Sequence, residues 1–186
     1  MKFFVMYAET CIEDYVVPGE EIFQLERACL NSEFQFLDRS TLEAEISDEG
    51  GLQFPDFILR GVIPLVSTDF KRVLENFGAD YIFFKPIRLT VAELGRVEEF
   101  WLALPPRINC LDWERSTIEV EDNEFLSPVE RIREAKKFFI DENQIGRYDI
   151  FKLAGVVNQE IIVTERLKNA LEDANLENLF FYETGE

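Results

Sequence analysis

The sequence predicts an α+β protein with mixed or antiparallel sheets, in which one unit of strand, capped helix and strand is used twice. The first observation is a repeat, because residues 65–86 and 162–183 match when Val66 is aligned with Val163. The second is a helical spacing of apolar residues within both copies, followed by strand-like runs. The third is a content of 47% hydrophobic residues in 186, enough for a sizeable core without disulfides. We place the units at about 57–89 and 150–183.

Caps and apolar stripes define the helix of each copy. Ser67 and Thr164 stand at the N-cap, and Gly78 and Asn175 stand at the C′ position, where a left-handed backbone favours those two residue types. Apolar residues at positions i, i+3, i+4 and i+7 form one stripe in each copy: Phe70, Val73, Leu74 and Phe77, then Leu167, Ala170, Leu171 and Ala174. These features build a fold and carry no chemistry, so they favour structural duplication.

The residues before the first copy form a separate subregion in this interpretation. We expect an opening strand near residues 2–8, a helix at 20–30 and a half-buried strand that includes Phe34 and Phe36. A loop with Gly50 and Gly51 ends this part. We therefore predict an N-terminal subregion over 1–53, packed on an α+β domain over 54–186.

Strand-like segments also connect the two copies. Residues 100–104 look extended and stop at a Pro-Pro pair, and residues 108–121 read as one or two strands. In the second of these, Ile118 and Val120 should point inward while Glu119 and Glu121 point outward. The segment 127–145 could form a short basic helix or a strand.

The charge of the chain bears on its partners. It carries 19 Lys and Arg against 37 Asp and Glu, for a formal net charge of −18. Such a field repels nucleic acid and anionic membranes and attracts basic proteins, so we expect neither of the first two as a partner. The cysteines, Cys11, Cys29 and Cys110, are too few and too scattered for a disulfide framework. With no membrane-length apolar run and no signal peptide, we expect a cytoplasmic protein; the oligomeric state is not predicted.

The sequence shows no catalytic constellation. It has no histidine, which removes the usual general base and the commonest metal ligand, and its glycines form no phosphate-binding loop. Residues 141–146 begin like a calcium loop, but Lys152 stands where the bidentate Glu belongs, so a turn is expected. We predict no enzyme, no cofactor and no metal. A hydrolase that uses carboxylates alone, either glycosidase-like or metal-dependent, stays an open alternative.

One acidic segment and one tryptophan are the candidate binding residues. Residues 119–124 place four carboxylates within six positions, although a solvated turn would need no partner to explain them. Trp113 lies between two acidic residues, whereas Trp101 lies in an apolar run and should be buried. The predicted surface for a basic protein, called the acidic surface below, consists of Trp113, Glu119, Glu121, Asp122 and Glu124.

Five phrases in order carry a family resemblance: "PDFIL", "LVSTDFKRVLENFGADYIFFKPI", "INCLDWERS", "KKFFIDENQIGRYDIFKLAG" and "IIVTERLKNALEDANLENLFF". Over roughly residues 54–183 the chain resembles the immunity-protein family numbered eleven of bacterial polymorphic toxin systems. The resemblance implies a cytoplasmic protein that binds a cognate toxin domain and blocks it, and it carries over no catalytic residues. An adaptor subunit is the third function that we consider.

Overall fold

Three α-helices and twelve strands are present in the residues that the structure, a computed structural model, describes: 1–9, 13–120 and 133–185. The helices are α1 (Glu26–Asn31), α2 (Thr68–Phe77) and α3 (Glu165–Asp173). The strands are β1 (Phe3–Tyr7), β2 (Leu42–Glu45), β3 (Phe57–Arg60), β4 (Ile63–Ser67), β5 (Phe83–Val91), β6 (Arg96–Leu104), β7 (Arg107–Ile108), β8 (Thr117–Val120), β9 (Arg133–Lys137), β10 (Ile150–Leu153), β11 (Ile161–Thr164) and β12 (Phe180–Glu183).

These strands form two five-stranded sheets and one hairpin. The first sheet has the order β2-β5-β6-β4-β3, and the second has the order β12-β1-β11-β10-β7. Neighbours are antiparallel except at one end of each sheet, where β2 runs parallel to β5 and β7 runs parallel to β10. Strands β8 and β9 form the hairpin. The predicted α+β class with mixed and antiparallel sheets is confirmed.

The twice-used unit is confirmed in three dimensions. Each copy runs strand, strand, helix, strand, as β3-β4-α2-β5 and as β10-β11-α3-β12. In each copy a strand from elsewhere in the chain lies between the second and third strands, β6 in the first and β1 in the second. Register supports the alignment of the sequence: Val66 and Pro86 both pair with Trp101, and at the equivalent positions Val163 and Glu183 both pair with Phe4.

The predicted N-caps form in both helices. The hydroxyl of Ser67 accepts a hydrogen bond from the Phe70 amide at 3.1 Å, and that of Thr164 accepts one from the Leu167 amide at 3.4 Å. Each hydroxyl also donates to the carboxylate that precedes the first strand of its copy, Asp56 or Asp149. The same local chemistry therefore starts both helices.

The ends of the two helices match as well. Gly78 and Asn175 adopt left-handed backbone, with φ of 94° and 51°. Each donates its backbone N–H to the carbonyl three residues earlier, on Glu75 or Glu172. The predicted C-terminal caps are confirmed.

Three hydrophobic cores hold these elements together. The central core contains the stripes of α2 and α3 and the inner faces of both sheets, with Phe70, Leu74, Leu167 and Leu171 fully buried. The outer face of the first sheet is covered by residues of the N-terminal part, including Ile22, Leu25 and Cys29. The outer face of the second sheet is covered by the connection between the copies, including Cys110, Ala135 and Phe138.

Some local predictions were wrong. Phe34–Phe36 forms a 3-10 turn rather than a strand, and the helix expected at 20–30 begins as a 3-10 turn before α1. Val120 is 46% exposed instead of pointing inward, because it ends the narrow two-stranded hairpin, where little covers it.

The boundary near residue 53 stays a prediction. The structure places β1 inside the second sheet, between β12 and β11. The 3-10 turns, α1 and β2 of the same stretch lie instead against the first sheet. Within the described part of the chain, no helix is long and apolar enough to cross a membrane.

Candidate partner-binding surfaces

The acidic surface is described in part. Trp113 and Glu119 lie within the structure, whereas Glu121, Asp122 and Glu124 lie outside the described residues. Trp113 is 42% exposed, and the guanidinium of Arg133 lies 5.8 Å from the centre of its ring. The Trp113 ring also lies against Gly155, where an added Cβ atom would stand 3.4 Å from the ring. Gly155 has φ of +81°, a conformation that glycine adopts most readily.

Strand pairing connects Trp113 to the β8–β9 hairpin. Arg133, which stacks on Trp113, is the register partner of Val120 at the end of that hairpin. Glu119 is exposed one residue earlier, and its carboxylate lies 3.5 Å from the ammonium of Lys136. A hydrogen bond to Glu134, and then the charge of Glu119, raise the pKa of Lys136. Because successive residues of a strand point to opposite faces, Glu119 lies on the face of the hairpin opposite to Val120 and Arg133. The role of Trp113 and Glu119 in binding stays a prediction.

Two buried thiols are poor candidates for nucleophiles. Cys29 and Cys110 are free and buried, and burial raises the pKa of each to about 12. A thiol with that pKa holds its proton near neutral pH, whereas the reactive form of cysteine is the thiolate. The packing of both side chains in apolar cores therefore explains their presence.

Two buried lysines were missed by the sequence analysis. Lys85 is 5% exposed, and its ammonium donates to the Asp38 carboxylate and the Ser40 carbonyl, each at 2.6 Å. Hydrogen bonding from Lys85 lowers the pKa of Asp38 to about 2. Lys152 is fully buried, and its ammonium donates to the Cys29 carbonyl at 3.2 Å. The available signal was a lysine inside an apolar strand, in "FFKPI" and "IFKLA".

A cleft of about 370 Å³ lies beside β3. Apolar residues that include Val16, Ile58 and Leu59 line it, and Tyr15 stands at one side. Burial raises the pKa of Tyr15, and surrounding carboxylates raise it further, in decreasing order those of Glu177, Asp14, Asp56 and Glu9. The residues that line the cleft come from separate parts of the chain, so spacing along the sequence could not reveal the cleft.

Three exposed aromatic residues form a second surface, which we call the aromatic edge: Tyr7, Phe180 and Tyr182. Their exposed fractions are 38%, 38% and 48%. The Tyr7 ring centre lies 5.5 Å from that of Phe180 and 5.6 Å from that of Tyr182. Aromatic residues are enriched in protein interfaces, so this cluster is a candidate contact. In the sequence, Phe180 and Tyr182 belong to the repeated unit over 150–183, and nothing there connects them to Tyr7.

No metal-binding cluster of three or more Cys, Asp or Glu residues is found in the part of the chain that the structure describes.

Comparison with known proteins gives one family. No curated protein matches the chain. The model of the Immunity protein family (Imm11) matches residues 13–186, which is wider than the resemblance over 54–183 and confirms it. With nearly the whole chain matched, this protein belongs to the Immunity protein family (Imm11).

Proposed function

We propose that this protein binds a cognate bacterial toxin domain in the cytoplasm and neutralises it by occluding its active site. The family match over residues 13–186 is the observation that carries the proposal, since an immunity protein protects by binding a toxin. In this proposal the protein performs no catalysis of its own and requires no cofactor. The toxin belongs to a polymorphic toxin system.

Charge supports a basic toxin as the partner. The chain has a formal net charge of −18, and four carboxylates lie close enough to Tyr15 to raise its pKa. A field of this sign accelerates encounter with a basic surface and favours the correct orientation. An acidic protein can also stand in for the anionic substrate of a toxin that acts on nucleic acid or nucleotides.

The test uses the product of the adjacent upstream gene as the toxin. Co-expression should restore growth, and the two proteins should co-purify as a tight 1:1 complex. The association rate constant should fall by about tenfold or more between low and high salt, because the ions screen the steering field. A rate that is independent of salt would contradict the electrostatic part, and loss of both rescue and binding would contradict the function.

A matched pair of variants locates the contact. Replacing Glu119, Glu121, Asp122 and Glu124 together with Ser should weaken protection if the acidic surface binds the toxin. The control replaces exposed acids of α2 and α3 that are far along the chain from this segment: Asp69, Glu75, Glu165 and Glu172. Both variants lose four negative charges, so steering is reduced equally. Equal protection by the two would remove the acidic surface as the contact.

A further inference from the structure

The aromatic edge continues a buried face of the second sheet into solvent. In β1, Phe3 and Val5 are buried in the core beneath the connection between the copies, and Tyr7 follows on the same face. Tyr182 pairs with Val5, and Phe180 pairs with Tyr7, so their rings lie on this face too. Among the described residues, the cover lies over Phe3 and Val5, and the three rings are left partly exposed.

The outer side of β12 has free backbone groups. Thr184 donates its N–H to the Phe3 carbonyl at 2.9 Å, toward β1. Because successive residues of a strand point their N–H groups in opposite directions, those of Phe181 and Glu183 point away from β1. Among the described residues, no strand pairs with this side of β12. Such an edge is a ready template for an added strand.

In the first copy, the equivalent edge, that of β5, is covered by another segment of the chain. Phe83, the equivalent of Phe180, is stacked by Phe34 with ring centres 5.6 Å apart and planes at 17°. Lys85, the equivalent of Tyr182, is held by Asp38 and Ser40 of the same covering segment. Farther along β5, that segment becomes β2 and pairs with residues 87–90.

A proline completes the closure of the first copy. Pro86 occupies the position that Glu183 has in the second copy, and proline carries no N–H that could pair outward. The second copy therefore keeps the hydrogen-bond donor that the first copy lacks.

The charges near the aromatic edge favour a cationic occupant. The carboxylate of Glu160 raises the pKa of Tyr182, after the larger effect of burial, which places a negative charge near that ring. Within the described part of the chain, the buried Oε2 atom of Glu160 has no hydrogen-bond partner.

The protein stacks its own cations on other rings. The guanidinium of Arg166 lies 4.7 Å from the centre of the Phe77 ring, and that of Arg115 lies 4.3 Å from the centre of the Phe139 ring. A guanidinium stacked on an aromatic ring is therefore a contact that this protein already uses.

We propose that the aromatic edge docks an extended segment of the cognate toxin, which pairs with the outer side of β12 and stacks an arginine on the exposed rings. This inference rests on the proposed function, since it identifies the contact through which the toxin is bound. Arginine suits the site because its planar guanidinium stacks on aromatic faces and binds carboxylates. The aromatic edge is proposed as a contact in addition to the predicted acidic surface.

Two edge variants and two controls test the proposal against a catalytically inactivated toxin domain. The first combines Phe180→Ser with Tyr182→Ser and should raise the dissociation constant by about 100-fold, because exposed aromatic anchors dominate interfaces. The second, Glu183→Pro, copies the first copy and should raise it by about tenfold or more by removing the outward N–H. The controls, Glu183→Ala and Leu94→Ser, should change it by less than about threefold; Leu94 is an exposed apolar residue in a separate turn.

The outcomes separate the contact from the function. If the wild type protects and both folded edge variants bind as tightly as it does, the aromatic edge is overturned while the function stands. If the wild type neither protects nor binds, the function fails and the contact fails with it. A wild-type dimer that Glu183→Pro converts to a monomer without weakening toxin binding would assign the edge to a second copy and overturn the toxin segment. Should Glu183→Pro unfold, the double serine variant decides.

Discussion

The two copies of the repeated unit have the same framework and differ at their borders. Both use a hydroxyl N-cap, a left-handed residue after the helix, and an inserted middle strand. Strand β2 extends the first sheet beside β5, whereas strand β7 extends the second sheet at its opposite end, beside β10. The cap-and-stripe pattern therefore specifies the unit, and the surrounding chain decides which edges stay open to a partner.

The largest expected effect tests whether the copies contribute equally to the central core. Leu74 and Leu171 are equivalent and fully buried. Leu74→Ala and Leu171→Ala should each lower the free energy of unfolding by about 2–5 kcal/mol, since each leaves a cavity between α2, α3 and the sheets. Urea unfolding followed by circular dichroism measures both. A loss below about 1 kcal/mol for only one of them would show that its copy packs loosely.

The buried lysines sharpen the contrast between the copies. Lys85 has the Asp38 carboxylate as a partner, whereas Lys152 is bonded to neutral oxygen atoms of Cys29 and Gln159. Burial lowers the pKa of Lys152 from 10.5 to about 8, although the nearby charge of Glu160 opposes the shift and that of Arg107 adds to it. Between about pH 8 and pH 10.5, Lys152 is therefore protonated in the unfolded chain and largely deprotonated in the folded one. The contribution of this lysine to the free energy of unfolding rises with pH across that range.

Substitution of Lys152 should remove this rise. At pH 7, Lys152→Met should leave stability unchanged or increase it, because the variant buries no charge. Relative to the variant, the wild type should gain on the order of 3 kcal/mol between pH 8 and pH 10.5. The difference between the two proteins cancels the opposite effect of Cys110, whose raised pKa lowers stability above pH 9. The effect of Cys29 does not cancel in the same way, because the charge of Lys152 lowers its pKa. Parallel curves of stability against pH would contradict the assignment.

Lys85→Met should instead destabilise at pH 7 by about 1–2 kcal/mol, since it releases Asp38 and Ser40.

The caps give a smaller effect. Ser67→Ala and Thr164→Ala should each cost about 1 kcal/mol of unfolding free energy, because each leaves an amide of the first helical turn and the partner carboxylate without the hydroxyl. Thermal unfolding at pH 7 compares them. Ser67→Thr and Thr164→Ser keep the hydroxyl and serve as controls. If the alanine variants matched these controls, the caps would contribute packing only.

The smallest effect concerns the matched ion pairs on the two helices. Lys71–Glu75 and Lys168–Glu172 are equivalent pairs at i and i+4. Each lysine also lies over one aromatic ring of its own copy and one of the inserted middle strand. Glu75→Gln and Glu172→Gln should each cost only about 0.3–0.5 kcal/mol, because the carboxylates are about half exposed. The loss should shrink further at high salt. A loss above 1 kcal/mol would show that the acid positions the lysine on the rings.

Local chemistry could be predicted from the sequence better than long-range arrangement. Caps at Ser67 and Thr164, and the stripes of α2 and α3, follow from contacts within a few residues, so the repeat was identified. The 3-10 turn at Phe34–Phe36 was not, because Phe34 stacks on Phe83 of a distant strand and tertiary packing overrides the alternating pattern.

The candidate surfaces show the same limit. Trp113 and Glu119 were predicted as binding residues from their acidic neighbours in the sequence. That Arg133 contacts Trp113 and also pairs with Val120, next to Glu119, depends on strand register. The aromatic edge joins Tyr7 to Phe180 and Tyr182 across almost the whole chain, so no local pattern could join them. The effect of Pro86 on the edge of its strand can be recognised only when the structure shows that Pro86 and Glu183 occupy equivalent positions.

The position of β1 has a consequence for biosynthesis. This strand is made before the first sheet, yet its two neighbours in the second sheet, β11 and β12, are made after the first sheet. The first sheet can assemble during translation because its five strands lie between residues 42 and 104. The second sheet closes only after residue 183 has emerged, and such long loop closure slows folding. The aromatic edge therefore forms only after β12 has been made, later than the first sheet.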